Sequence, residues 1–294
     1  MRRSFESGYS DHRAGKVRAR EVWRILLGPL DAAYYLGVGW SILSYWGDRI
    51  AAVFYLSRLY VMLVLKTSKA PVVQGTSVVI PTKSYLSRMF QLCIRSMSHS
   101  ELPGEILVFQ VNQNFSYPAV INKGIRASNG KFIVIINDDC FVTGNWLSSL
   151  VRLAETGSKI GIVASKLLQP SGKIFCTEAH IASDGKPIVQ IQNPELPHEI
   201  HGFAGSAILI KREVIDQIGG FDEIFSPYTY EDTDFCYRAR ANGWQLYYCP
   251  NSEVYHIRNA SIGKEDQDRV RQIMDINRGI FLQRWKTMIE TNRL

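Results

Sequence analysis

From Thr76 onward the chain alternates short apolar runs with stretches of helical period. "SVVI" (77–80) reads as a buried strand stopped by Pro81. Leu86, Phe90, Ile94 and Met97 fall on one side of a helix over 86–97. "EILVF" (105–109) predicts a second strand, "KFIVII" (131–136) a third and "IGIVAS" (160–165) a fourth, with a helix over 145–154 between the last two. This β-α-β alternation predicts an α/β fold, a mostly parallel sheet with helices on both faces. Such sheets gather their functional groups beyond the carboxyl ends of the strands. Three polar tips follow strands directly: Pro81-Thr82-Lys83, Gln110-Val111-Asn112 and Asn137-Asp138-Asp139. On one edge of one sheet they outline a ligand crevice.

The texture before Thr76 is different. Residues 30–65 are strongly apolar and aromatic-rich, and Gly47-Asp48-Arg49 splits them into halves of about 16 or 17 residues. Each half is short of the roughly 20 residues that a spanning helix needs. Ser41, Ser44 and Asp48 share one helical face. Charge then changes the picture. The chain carries a formal +7, and residues 1–30 hold seven Lys/Arg against three acids, more than half of that excess. A basic segment seeks an acidic partner, either nucleic acid or an anionic membrane surface. The recurring Tyr and Trp beside it favour the membrane over nucleic acid. Residues 1–66 therefore read as a basic tail plus an amphipathic helical hairpin lying on the cytoplasmic face of a membrane, peripheral and monotopic. A buried helix pair, a partner interface and true spanning remain open as alternatives. Residues 67–75 read as a linker, 76–263 as the main domain and 264–294 as a C-terminal helix. Five cysteines, odd in number and without CxxC spacing, read as small core residues of a reduced compartment.

Candidate chemistry concentrates at two places. "GKFIVIINDDC" (130–140) spends a buried strand to deliver adjacent carboxylates to one spot. Like charges resist joint burial unless a cation sits beside them. A hard divalent cation, Mg²⁺ or Mn²⁺, suits such a pair. A plain polar turn is the alternative, since Asn and Asp are common turn residues. Downstream, Glu231, Asp232 and Asp234 crowd the start of an amphipathic helix that Gly243 ends. Acids there can simply cap the helix, but a cap needs one acid and not three. A strand through "WQLYYCP" ends at His256, either a structural residue or a metal ligand.

Four passages in this order resemble the inverting nucleotide-sugar glycosyltransferases of family 2, with rhamnosyltransferase-like and galactofuranosyltransferase-like members. They are "SVVIPT", "NKGIRASNGKFIVIINDD", "GSAILIKREVIDQIGGFDEIF" and "YEDTDFCYRARANGWQLYYCPNSEVYH". The resemblance spans roughly residues 76–258 and implies the GT-A fold, Rossmann-like on its nucleotide-binding side. It implies transfer of a sugar from a nucleoside-diphosphate sugar to a hydroxyl of a glycan or lipid-linked acceptor. By that likeness Asp139 and His256 are metal ligands for Mn²⁺ or Mg²⁺ and Asp232 is the catalytic base. Glu231 and Gly205 stand on the acceptor side. Pro81, Thr82, Lys83, Gln110, Asn122, Asn137 and Asp138 stand on the nucleotide-sugar side.

The bare chemistry agrees: a cation neutralises a departing diphosphate, and a base takes the acceptor hydroxyl proton. Lys83, Arg258 and Lys264 could screen that diphosphate by charge. Two departures from the family pattern stand out. Gln110 occupies the place of the family's base-reading Asp, and only residues 114–120 separate this tip from "INKG". A family member that binds sugar nucleotide or glycan without turnover is the alternative these departures raise. A nucleotidyltransferase or other phosphate-handling α/β enzyme would call for a glycine-rich loop after the first strand, and "PTKSYLSR" has no glycine.

Overall fold

The structure is a computed structural model and describes residues 15–17, 70–111, 116–202, 205–257 and 267–291. The apolar stretch 30–65, Arg258 and Lys264 lie outside the described residues. So does most of the basic tail. Among the described residues no helix is long and apolar enough to cross a membrane.

The core is one ten-stranded sheet. Its strands are β1 (Gly15–Val17), β2 (Val72–Thr82), β3 (Leu102–Gln110), β4 (Phe132–Ile136), β5 (Cys140–Val142), β6 (Ile160–Leu168), β7 (Ile174–Cys176), β10 (His198–Ile200), β11 (Ala207–Lys211) and β12 (Gln245–His256). The spatial order is β1-β3-β2-β4-β11-β6-β12-β10, with β5 on β12 and β7 on β6. A separate hairpin joins β8 (Glu178–Ile181) to β9 (Pro187–Gln190). The helices are α1 (Arg88–His99), α2 (Tyr117–Ala127), α3 (Trp146–Glu155), α4 (Arg212–Ile218), α5 (Glu231–Ala241) and α6 (Gln267–Thr291).

Alternation along the strands explains the two layers. Val78, Ile80, Ile106, Val108, Val134 and Ile136 face one side and pack on Phe90, Cys93 and Met97 of α1 and Trp146, Leu147 and Leu150 of α3. Val79, Leu107, Ile133 and Ile135 face the other and pack on Ile121 and Ile125 of α2 and Phe235, Cys236 and Ala239 of α5. Helices therefore cover both faces. Glu101, buried in the connection between α1 and β3, caps α3: its Oε2 accepts the Leu147 and Ser148 N–H groups at 3.0 and 2.9 Å.

Three sequence expectations need correction. The sheet is mixed and not mostly parallel. β2 pairs parallel with β3 and β4, and β6 with β12, but β11 runs antiparallel between β4 and β6. The run "AILIK" is as buried as its neighbours, and an apolar run fixes burial without fixing direction. Pro81 does not stop its strand. Pairing of β2 with β4 ends at Val79, so the last residues of β2 have β3 alone as neighbour, where a proline is tolerated. Nor is 67–75 a linker throughout, since β2 begins at Val72. The expected helix ends lie close to the observed ones, and Gly243 follows α5 with φ 82°.

Candidate active site

The sheet's carboxyl edge assembles the site from distant parts of the chain. β2 ends at Thr82 and β4 at Ile136, so their polar tips lie side by side: Thr82 Oγ1 donates to Asp138 Oδ2 at 2.7 Å. β11, being antiparallel, starts at this same edge, and the Asn137 N–H donates to the Ser206 carbonyl at 3.1 Å. β12 then pairs with β5 so that His256 stands opposite Cys140, and the Ile257 N–H closes on the Asp139 carbonyl at 3.0 Å. This register sets the His256 ring beside Asp139.

Pro81, Thr82, Lys83, Asn137, Asp138, Asp139, Gly205, Glu231, Asp232 and His256 all line one cleft of about 530 Å³. Two predicted residues do not. Gln110 is exposed, and its Nε2 donates to the Lys83 carbonyl at 3.3 Å. It touches the cleft only by bracing the backbone of a lining residue. Asn122 is buried on α2 and its amide is committed elsewhere. Nδ2 donates to the Phe221 carbonyl at 2.8 Å and to Glu223 Oε1 at 3.0 Å, and Oδ1 accepts from the Phe221 N–H at 2.8 Å. It ties α2 to the loop after α4.

Asp139 and His256 form the most distinctive pair. Asp139 Oδ1 lies 3.3 Å from His256 Nε2, yet this buried oxygen has no aligned hydrogen-bond partner. The other ring nitrogen, Nδ1, is 3.2 Å from Ser206 Oγ. An imidazole anchored at one nitrogen and a bare carboxylate oxygen facing the other fit a shared divalent cation. Donor atoms of Asp139, Cys140 and His256 lie within 4.8 Å of one another. Cys140 is the odd member: its thiol is fully buried, reaches the Ser206 carbonyl at 3.8 Å, and is pushed up by burial and by Asp139. A thiol held protonated is no ligand for a hard cation.

Across the cleft, α5 presents Glu231 and Asp232 from its first turn. Burial, and then Asp232, hold the Glu231 carboxyl well above the usual range, and its Oε2 has no hydrogen-bond partner. Burial raises Asp232 to about 6, against the lowering effect of the Thr233 N–H and hydroxyl, which meet Oδ1 at 2.7 and 3.3 Å. Asp232 does not cap α5, because the capping position is Tyr230.

Asp234 has a different task. It is fully buried, and its carboxylate accepts from Arg238 Nε at 2.8 Å, Arg284 Nη1 at 2.7 Å and Trp285 Nε1 at 2.9 Å. It clamps α6 onto α5.

Sequence reasoning missed Tyr117, Ser206 and Met274, which also line the cleft. Tyr117 OH donates to Asn137 Oδ1 at 2.8 Å, and burial, Glu231 and Asp232 all raise its phenol. A tyrosine after a serine cap carries no special signal. Ser206 was signalled only by its adjacency to Gly205.

The sheet, with its carboxylate-and-histidine edge facing a helix-borne acid pair, belongs to the GT-A-like glycosyltransferase class of fold. It superposes on GalNAc-T7, solved with UDP, GalNAc and Mn²⁺, with a TM-score of 0.51 at 15% identity, over 62% of this chain and 43% of that one. The chain belongs to the glycosyltransferase like family 2, which matches residues 93–275. It is 29% identical over 185 residues to the uncharacterized protein y4gI of Sinorhizobium fredii, 59% of this chain and 20% of that protein. Over 62 residues it is 39% identical to the N-acetylglucosaminyl-diphospho-decaprenol L-rhamnosyltransferase of Mycobacterium tuberculosis, 21% of this chain and 20% of that one. The chain thus spans about a fifth of the length of these curated relatives.

Proposed function

We propose that the chain transfers a sugar from a nucleoside-diphosphate sugar to a hydroxyl of a glycan or lipid-linked acceptor, with inversion at the anomeric carbon. One observation carries this reading: the unpartnered Asp139 oxygen beside His256 and the raised carboxyl of Asp232 open onto the same cleft. Asp232 takes the proton of the acceptor hydroxyl as that oxygen bonds to the anomeric carbon from the face opposite the diphosphate. The bond from carbon to the diphosphate oxygen breaks, and the nucleoside diphosphate leaves. Thr82, Lys83, Asn137 and Asp138 hold the donor, with Pro81 shaping its pocket. Glu231 and Gly205 meet the acceptor. A Mn²⁺ or Mg²⁺ ion held by Asp139 and His256 would neutralise the departing diphosphate. Leu167, Phe175, Ile181, Pro187 and Val189 make the remaining wall apolar, which supports an acceptor with an apolar portion.

The test is a scan of sugar nucleotides with and without Mn²⁺, followed by transfer assays. Asp139→Ala abolishes metal-dependent donor binding while the thermal melt stays cooperative. Full activity in excess chelator would sink the metal assignment.

We also assign residues 1–66 to the cytoplasmic face of a membrane, on the strength of the basic tail and the aromatic-rich stretch that follows it. The full-length chain should co-sediment with anionic vesicles and, at higher salt, release from them. Equal indifference to anionic and zwitterionic vesicles refutes this placement.

A further inference from the structure

The segment that delivers Glu231 and Asp232 into the cleft has a costly backbone. Thr229 and Tyr230 are consecutive non-glycine residues at φ 78° and 67°. Left-handed backbone is disfavoured for residues with a Cβ and persists only where surroundings over-determine it. Tyr230 is also the N-terminal cap of α5 and offers no side-chain cap bond. Its conformation therefore sets where the helix starts and where its first two side chains point.

The surroundings that hold it come mainly from α6. Asn277 is 1% exposed, and its Nδ2 lies 2.9 Å from the Phe225 carbonyl, 2.9 Å from the Tyr228 carbonyl and 3.1 Å from the Thr229 carbonyl. One amide nitrogen thus gathers three carbonyls of the segment 225–229. Two further contacts fix Tyr230 itself: its hydroxyl donates to the Gly185 carbonyl at 2.8 Å, and its ring packs on Phe281 at 5.4 Å.

We propose that Asn277 is a positioning residue for the Glu231–Asp232 pair, holding the left-handed Thr229–Tyr230 step through its amide. This rests on the reading of Asp232 as the base, but the bracing itself is independent of it. The predicted boundary between a domain over 76–263 and a helix over 264–294 then runs through the active site's own support. Asn is required because the carbonyls need a donor. A carboxylate of the same shape has none and repels them.

The experiment compares Asn277→Ala, Asn277→Ser and, as control, Met288→Ala in the full chain. Met288 packs on the same apolar cluster toward the far end of α6. Backbone amide exchange is followed by mass spectrometry, and transfer kinetics are measured beside it. Asn277→Ala should speed exchange over residues 226–232 by about tenfold or more and leave α3 unchanged. It should lower kcat by up to about 10² with the donor KM nearly constant, as expected of a misplaced reacting group. Asn277→Ser, keeping a hydroxyl donor and the small size, should fall between Ala and wild type in both. Met288→Ala should lower the melting temperature without either local effect. Unchanged exchange over 226–232 in both Asn277 variants overturns the proposal. So does an equal rise in Met288→Ala, or a loss shared between kcat and donor affinity. A wild-type chain with no turnover on any sugar nucleotide refutes the proposed function instead, and the exchange data still decide the role of Asn277.

Discussion

Asp232→Asn leaves donor binding intact and lowers turnover by about 10²–10⁴, the factor supplied by a positioned general base. Asparagine keeps the size of the side chain and its Oδ1 acceptor toward Thr233, but it takes no proton near neutral pH. The wild-type rate should follow the same group. With the carboxyl at about 6, the rate climbs roughly tenfold per pH unit below that value and levels off above it. Stability moves the other way. The folded-state value lies above the ordinary 3.8, so the folded chain binds this proton more tightly than the unfolded one. That contribution is fully present below about pH 4 and is lost as pH rises through about 6. Above it, the partly exposed carboxylate costs the fold about 1–3 kcal/mol, which a neutral Asn avoids. Asp232→Asn should therefore melt higher than wild type at pH 7.5 and show no such gain near pH 4. An active Asp232→Asn protein, or one that has also lost donor affinity, removes Asp232 from the role of base.

Asp234→Ala destabilises the molecule rather than silencing it. The change leaves the Arg238 and Arg284 guanidinium groups and the Trp285 indole N–H without their shared acceptor. Breaking a buried ion pair from one side costs about 3–5 kcal/mol, a large part of a domain's net stability. Urea titration should show the midpoint falling steeply. Any folded fraction should keep near-normal donor binding, because Asp234 does not line the cleft. A midpoint within experimental error of wild type refutes the clamp.

These two acids, two residues apart, show what the sequence makes legible and what it does not. The period of the apolar runs placed most of the core strands and the two helical layers, because burial on a strand or helix face is written in spacing. The strand tips identified Thr82, Asp138 and Asp139, since an α/β sheet collects polar groups there. The direction of β11 was invisible, as "AILIK" reads alike in either sense. Yet that direction is what brings Ser206 to Asn137 and His256. Asn122 was misplaced toward the cleft because a buried Asn that ties loops together has the same one-letter signature as one that binds a ligand. Asp234 could be separated from Asp232 by helical face, but two of its partners, Arg284 and Trp285, lie 50 and 51 residues away on α6, beyond the reach of any local pattern. The same distance hid Asn277.

The three-residue strand β1 has a practical consequence. It pairs antiparallel with β3, setting Gly15 opposite Val108, Lys16 opposite Leu107 and Val17 opposite Ile106. β2 holds the opposite side of β3. Stripping away the N-terminal region to obtain a better-behaved protein would bare a row of β3 backbone donors and acceptors along an apolar run, "EILVF". Such an edge templates strand-to-strand aggregation between copies. A shortened chain would gain in solubility only if residues 15–17 were kept by splicing, or if the uncovered edge were given a lysine or a proline as a gatekeeper.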